Sequence, residues 1–206
     1  MKKKLIKSYA KVNLSLKVLG RNKNKFHKIQ SIISYLDIYD RIYINSVNKK
    51  KHHVYFDGLF SKNLKNNTIT KLLNILEKKN LLKKKYKIQV RKNIPQKSGL
   101  GGGSMNAASL LNFFLKNKII SLSNKETINI CNQIGSDVFL GLSRKNSILV
   151  NNKTIKKYDT KIGLFAVLIK PNIGCSTKKI YQNVKIFSKR RIKISRKVFK
   201  IQALKK

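Results

Sequence analysis

Acidic residues are scarce in this chain: 7 Asp and Glu stand against 48 Lys and Arg, a formal net charge of +41 over 206 residues. A carboxylate that takes a proton in catalysis must therefore be one of very few. Cysteine is scarcer still. Cys131 and Cys175 are too few and too far apart for a disulfide framework or a zinc cluster, and a reducing cytoplasm fits them. Long apolar runs are missing as well. The N-terminal MKKKLIKSYAKVNLSLKVLG begins like a basic signal region, but Lys7, Lys11 and Lys17 interrupt any apolar core. The longest uncharged run, Ser98 to Leu115, contains glycines and polar residues and is no membrane span. A cytoplasmic protein with no membrane partner is expected.

What is present is enough for a fold. Hydrophobic residues make up 41% and aromatics 8%, so the chain can bury one good core or two small lobes. Its charge should attract polyanions of any kind. The excess, however, is mostly Lys, spread from Lys2 to Lys206 among abundant Ile and Asn, the mixture that adenine- and uracil-rich codons yield by drift. In sequence the basic residues form no single stripe and no patch interleaved with aromatics. Nucleic acid is therefore expected to bind only non-specifically, through charge.

Alternating apolar positions Val12, Leu14, Leu16 and Val18 predict a strand that ends at Gly20. KIQSIISYLDIYDRIYINSV reads as two strands with a turn near Asp37–Asp40, and HHVYF as a short one. Asn67 should cap a helix reaching Lys79, with Ile69, Leu72, Leu73 and Leu76 on one face and Glu77 exposed. A strand, KYKIQVRKNIP, then runs to Pro95. Helices follow over about Ser104–Lys116 and Asn124–Ile134. A hairpin should turn at Asn151–Asn152, and IGLFAVLIKP should be a buried strand. After Tyr181 the chain becomes basic and aperiodic.

The least ordinary stretch is NIPQKSGLGGGSMNAASLLNFFLKNK, in which Gly99 and Gly101 to Gly103 precede an apolar helical pattern. Glycines permit positive φ and leave no Cβ in the way of a ligand. Placed before a helix capped by Ser104, they aim N–H groups and the positive helix end at one spot, which suits a phosphate better than a merely flexible loop does. The common phosphate loops do not fit. Ser104 stands where the Walker pattern needs its second glycine, and no Lys follows it; the dinucleotide pattern fails at the same residue. A protein-kinase loop would lie between two strands.

The pattern P-x-x-x-G-L-G-G-G-S-x-x-A-A, from Pro95 to Ala108, resembles the nucleotide-binding motif of the GHMP kinases, the family of galactokinase, homoserine kinase, mevalonate kinase and phosphomevalonate kinase. YAKVNLSLKVLG, FHKIQSI, LDIYDRI, NTITKLL, IGSDV and CSTKKIY agree in order and spacing, so the resemblance runs from about Ser8 to Tyr181. It implies an α+β, GHMP-kinase-like two-lobed fold: a nucleotide-binding domain over residues 1–145 and a partial, truncated C-terminal domain over 146–206. It implies ATP and Mg2+ as cofactors. ATP would contact Lys92, Pro95, Gln96, Lys97, Ser98, Gly99, Leu100, Gly101, Gly102, Gly103, Ser104 and Met105. By the same resemblance Asp137 is the base, Lys11 its charged partner, and Asn13 faces the reacting hydroxyl. A Lys on a strand is ordinarily solvated, and Asp137 could simply cap a helix at Val138.

Triple glycine followed by Ser is similar to the branch of the family whose substrate is a small alcohol carrying a cytidine diphosphate. There Phe26 and Tyr181 would sandwich the cytosine and His27 would bond its edge. Departures from the family pattern are Met105 in place of a second Ser, Phe139 in place of Pro and Lys25 in place of Gly. No second glycine-rich loop occurs before Lys206. A monomer or homodimer is expected. The alternatives are a GHMP kinase for another alcohol, or a scaffold that binds polyanions without catalysis.

Overall fold

The computed structural model describes residues 3–21, 27–62, 64, 67–151, 154–160, 163–169 and 177–200. They form two compact units that interleave along the chain. The first takes residues Met1–Ala10, Leu36–Gln96 and Leu100–Ser143, and the second Lys11–Tyr35, Lys97–Gly99 and Arg144–Lys206. The sequence boundary at 145/146 falls beside the last of these divisions. Residues 11–35 and 97–99, however, lie with the second unit.

In the first unit the strands are β1 (Lys4–Arg21, its first part), β2 (His27–Val47, its second part), β3 (His53–Asp57) and β4 (Lys85–Arg91). β4 is antiparallel to β2, with Ile42 opposite Val90 and Ile44 opposite Ile88, and parallel to β3. Alternation sends these apolar residues to one face. On that face lie the helices α1 (Thr68–Lys78), α2 (Gly102–Lys116) and α3 (Asn124–Ile134). Leu72, Leu73, Leu76, Leu110, Leu111 and Phe114 fill the space between. Local chemistry sets the helix starts. Asn67 Oδ1 accepts from Thr70 N at 2.8 Å, as its position before an apolar helical pattern predicts. Ser123 and Glu126 form a reciprocal capping box on α3. Cys131 is buried in this core, and burial pushes its thiol up to about 11, which leaves it inert as a nucleophile.

In the second unit, Ser31–Ile33 of β2 pair antiparallel with β5 (Asn146–Asn151), and β5 pairs antiparallel with β6 (Thr154–Tyr158). This is the hairpin read from the sequence. A small core of Ile32, Ile148, Ile192 and Phe199 lies against it. The basic tail is thus not featureless: Ile192 N donates to Gln30 Oε1 at 2.8 Å, and a 3-10 turn at Arg196–Phe199 carries a buried ring.

Three expectations are corrected. The two strands foreseen over residues 28–47 are one strand, β2, because Asp40 is buried within it and satisfied by buried donors rather than capping a turn. The helix after the glycines starts at Gly102, with Gly101 at the N-cap, so Ser104 lies inside its first turn and caps nothing. The apolar run expected as a buried strand has no ladder among the described residues 163–169. Phe165, Val167 and Ile169 are 108%, 89% and 89% exposed there. A strand needs a neighbour for its N–H and C=O groups, and the apolar composition of this run does not supply one.

Among the described residues, no helix is long and apolar enough to cross a membrane.

Candidate active site

The glycine loop leaves β4 across a buried polar knot. Asp40 is fully buried, and its carboxylate accepts from Lys92 Nζ, from Asn93 N at 2.7 Å, from Ile94 N at 2.9 Å and from Asn106 Nδ2 at 2.9 Å. Four donors on one carboxylate satisfy a charge that burial would otherwise penalise heavily. The knot ties three pieces together: strand β2, the residues that open the loop, and the first turns of α2. Below it Ala10, Ile94 and Leu100 form a small apolar base against Leu36.

Above the knot the backbone makes its turn. Gly101 is left-handed, φ 68° and ψ 17°, and Met105 N donates to its carbonyl at 2.8 Å, the first bond of α2. The N–H groups of Gly102, Gly103 and Ser104 therefore have no intrahelical acceptor. The cap is a glycine, so no side-chain oxygen competes for them. Together with the positive end of a four-turn helix, they make a cradle for an anion. A second helix start braces it: Thr68 Oγ1, at the head of α1, donates to Gly103 O at 2.5 Å.

The glycines are not equivalent. A Cβ on Gly102 would lie 3.0 Å from Ile94 Cγ2 and 3.3 Å from Lys92 Nζ, whereas one on Gly103 would meet Thr68 Oγ1 at an ordinary 3.5 Å. Gly102→Ala should lose about 1–3 kcal/mol by overpacking. Gly103→Ala should be neutral or stabilising by up to about 1 kcal/mol, because Ala is the better helix former. Denaturant unfolding of both variants measures this, and equal losses would refute the packing account.

The turn after α3 lies against the same helix end. A Cβ on Gly135 would come within 3.9 Å of Ser104 Oγ. Two residues on, Asp137 stands at the N-cap of the 3-10 turn Val138–Leu142 and makes no side-chain capping bond there. The structural role that the sequence allowed it is not the one it plays. Lys71 Nζ donates to Ile134 O at 3.3 Å, which holds α3 to α1 just before this turn.

Other residues foreseen as nucleotide contacts have structural partners. Lys92 is 4% exposed and ion-paired to Asp40. Gln96 Nε2 donates to Phe60 O and Lys62 O at 2.8 and 2.6 Å. Met105 is 2% exposed and packs toward Gly141. Asp40, Asn106 and Thr68 carry the loop; the sequence placed Asp40 in a turn and none of the three at the site.

In the second unit, Lys11 is 7% exposed, not the solvated strand lysine that its surroundings suggested, and its Nζ donates to Asn13 Oδ1 at 2.9 Å. The same unit stacks His27 on Tyr181, centroids 5.3 Å apart and planes 25° apart, with Phe187 6.5 Å from His27. Phe26 and Lys25 lie outside the described residues. Lys97 and Gly99 both have positive φ, 51° and 77°.

Comparison with known proteins bears on both units. Residues 67–144 match the family model described as GHMP kinases N terminal domain. A Pelagibacter ubique protein named 4-diphosphocytidyl-2-C-methyl-D-erythritol kinase is 54% identical over 186 residues, 89% of this chain and 66% of that protein. A Clostridium botulinum protein of the same name is 33% identical, over 88% of this chain and 65% of its own length. The chain thus spans just under two thirds of the curated relatives it matches. A crystal structure of 4-(cytidine 5'-diphospho)-2C-methyl-D-erythritol kinase shares the fold, with a TM-score of 0.63 at 21% identity over 80% of this chain and 61% of that one. A mevalonate kinase from Staphylococcus aureus also does, with a TM-score of 0.53 at 16% identity over 78% and 56%.

Proposed function

We propose, for a chain that belongs to the GHMP kinase family, that it transfers the γ-phosphoryl group of ATP to the 2-hydroxyl of 4-diphosphocytidyl-2-C-methyl-D-erythritol. The observation that carries the reading is the left-handed Gly101 cap, which leaves the N–H groups of Gly102 to Ser104 free of helical partners. Such a turn holds a phosphate through the main chain, where no side chain need move. The 54% identity to a kinase of that name directs the reading to this substrate.

Phosphoryl transfer needs positioning and charge neutralisation more than covalent chemistry. The loop amides hold the triphosphate and offset its charge. Asp137 accepts the hydroxyl proton as the oxygen attacks the γ-phosphorus, whose bond to the bridging oxygen breaks to release ADP. Lys11, aligned by Asn13, neutralises negative charge on the way to the transition state. His27 and Tyr181 offer one ring wall and one hydrogen-bonding edge for the cytosine. Mg2+ bound with the nucleotide would screen the charge of the phosphate oxygens. Among the described residues no three His, Cys, Asp or Glu side chains cluster as a metal site.

The test is ADP release with ATP, Mg2+ and a panel of alcohols. Turnover should depend on the cytidine-diphosphate alcohol and be absent with homoserine or mevalonate. Preference for an alcohol without cytidine would keep the family and overturn the substrate. No turnover with any alcohol would overturn the enzyme.

A further inference from the structure

The sheet of the first unit has a second face, opposite the helices, and its composition is unusual. Alternation places Tyr9 of β1, Tyr39 and Tyr43 of β2 and Tyr55 of β3 there, all partly exposed. Each ring that carries a close neighbour carries a basic one or another tyrosine. Lys3 Nζ lies 4.4 Å from the centroid of Tyr43, Lys7 Nζ 4.8 Å and the Arg41 guanidinium 5.2 Å from Tyr39, and Lys87 Nζ 5.7 Å from Tyr55. Tyr9 and Tyr39 stand 5.1 Å apart. Within β2 the run Tyr39, Arg41, Tyr43 alternates ring and cation, and the remaining rings and cations join it only across the sheet.

Charge on this face is unbalanced. Arg41 is directly opposite Arg91 in the β2–β4 register, a like-charge pairing that a sheet ordinarily avoids. The acids on the same face are Asp37 and Asp57, and Gln89 Nε2 already donates to Asp57 Oδ2 at 2.7 Å. A row of π-faces set among guanidinium and ammonium groups is complementary to an unpaired strand, whose bases stack and whose phosphates take the cations. Exposed cation–π contacts are weaker than base stacking, so a base can displace a lysine, whose ammonium then moves to the neighbouring phosphate. A duplex hides its base faces, and an anionic bilayer has none.

We propose that this face binds single-stranded nucleic acid by stacking bases on Tyr39, Tyr43 and Tyr55 between Lys3, Lys7, Arg41 and Lys87. It lies on the side of the sheet opposite α2, so it requires neither the phosphate loop nor the kinase reading. Net charge alone would bind any polyanion, so the test holds charge fixed. A fluorescent oligouridine of about fifteen nucleotides, near the upper site size for such surfaces, is titrated at several salt concentrations. Tyr43→Ala should weaken its binding about five- to hundred-fold. It should leave the salt slope, the binding of a duplex of the same length and the binding of phosphatidylserine vesicles unchanged. Tyr43→Phe, which keeps the ring, should retain the affinity. Photo-crosslinking of a 4-thiouridine oligomer to the unaltered protein should label peptides containing Tyr39, Tyr43 or Tyr55, with excess ATP making no difference; this arm stands even if the alanine variant folds poorly. Equal affinity of Tyr43→Ala and the unaltered protein, an equal loss on duplex or vesicles, or cross-links confined elsewhere would overturn the proposal.

Discussion

Asp137→Asn should fold as the unaltered protein does and lose turnover about 10²- to 10⁴-fold, the usual contribution of a positioned general base. The separation of these two effects follows from the local geometry. Asp137 occupies a helix N-cap position without using its carboxylate as the cap, so exchanging one oxygen for an amide removes a proton acceptor and leaves the turn's own bonds in place. The backbone bonds that shape it, Val138 N to Gly135 O at 3.1 Å and Leu140 N to Asp137 O at 3.2 Å, do not involve the side chain. The measurement is kcat with saturating ATP and alcohol, paired with a denaturant titration. Equal ADP release from the two proteins would remove Asp137 from the chemistry. A large loss of stability would mean that the residue holds the turn.

Asp40→Asn should produce the largest loss of stability among single polar substitutions near the loop, about 3–5 kcal/mol, the cost of leaving a buried partner unpaired. Asparagine can still accept from the Asn93 and Ile94 amides. Its own amide group, however, would face Lys92 Nζ and Asn106 Nδ2, which are donors as well. Lys92 would then be a buried cation without a counter-charge. Removing both charges tests this directly: Asp40→Asn with Lys92→Met should be more stable than Asp40→Asn alone, because the remaining mismatch is between neutral groups. Denaturant midpoints of the three proteins decide it. A single variant within about 1 kcal/mol of the unaltered protein, the range of an ordinary exposed ion pair, would show that the knot is not the anchor described.

Much of the local structure was legible because its causes are local. Asn67 before an apolar i, i+3, i+4 pattern identifies α1, and the helix expected over Asn124–Ile134 is α3. Asn151 and its flanking alternation give the β5–β6 hairpin. The glycine run marks the start of a helix, but α2 begins at Gly102, two residues before Ser104. Ser104 is a good capping residue, but a left-handed Gly101 had already begun the helix. Composition also misled at residues 163–169, since an apolar run describes what a segment could bury and not whether another strand is there to pair with it.

By itself the sequence determined α1, α3, the β5–β6 hairpin and the likeness to the GHMP kinases, all of which rest on residues adjacent in the chain or repeated at helix and strand periods. Only the tertiary structure decided what distant residues do to one another. It turned Asp40 from a turn residue into the anchor of the loop, buried Lys11 and Lys92, and gathered tyrosines of β1, β2 and β3, with the cations beside them, onto one face. The physical reason is range: hydrogen-bond capping and side-chain periodicity act within a few residues, whereas the burial and pairing of charge depend on which strands fold side by side.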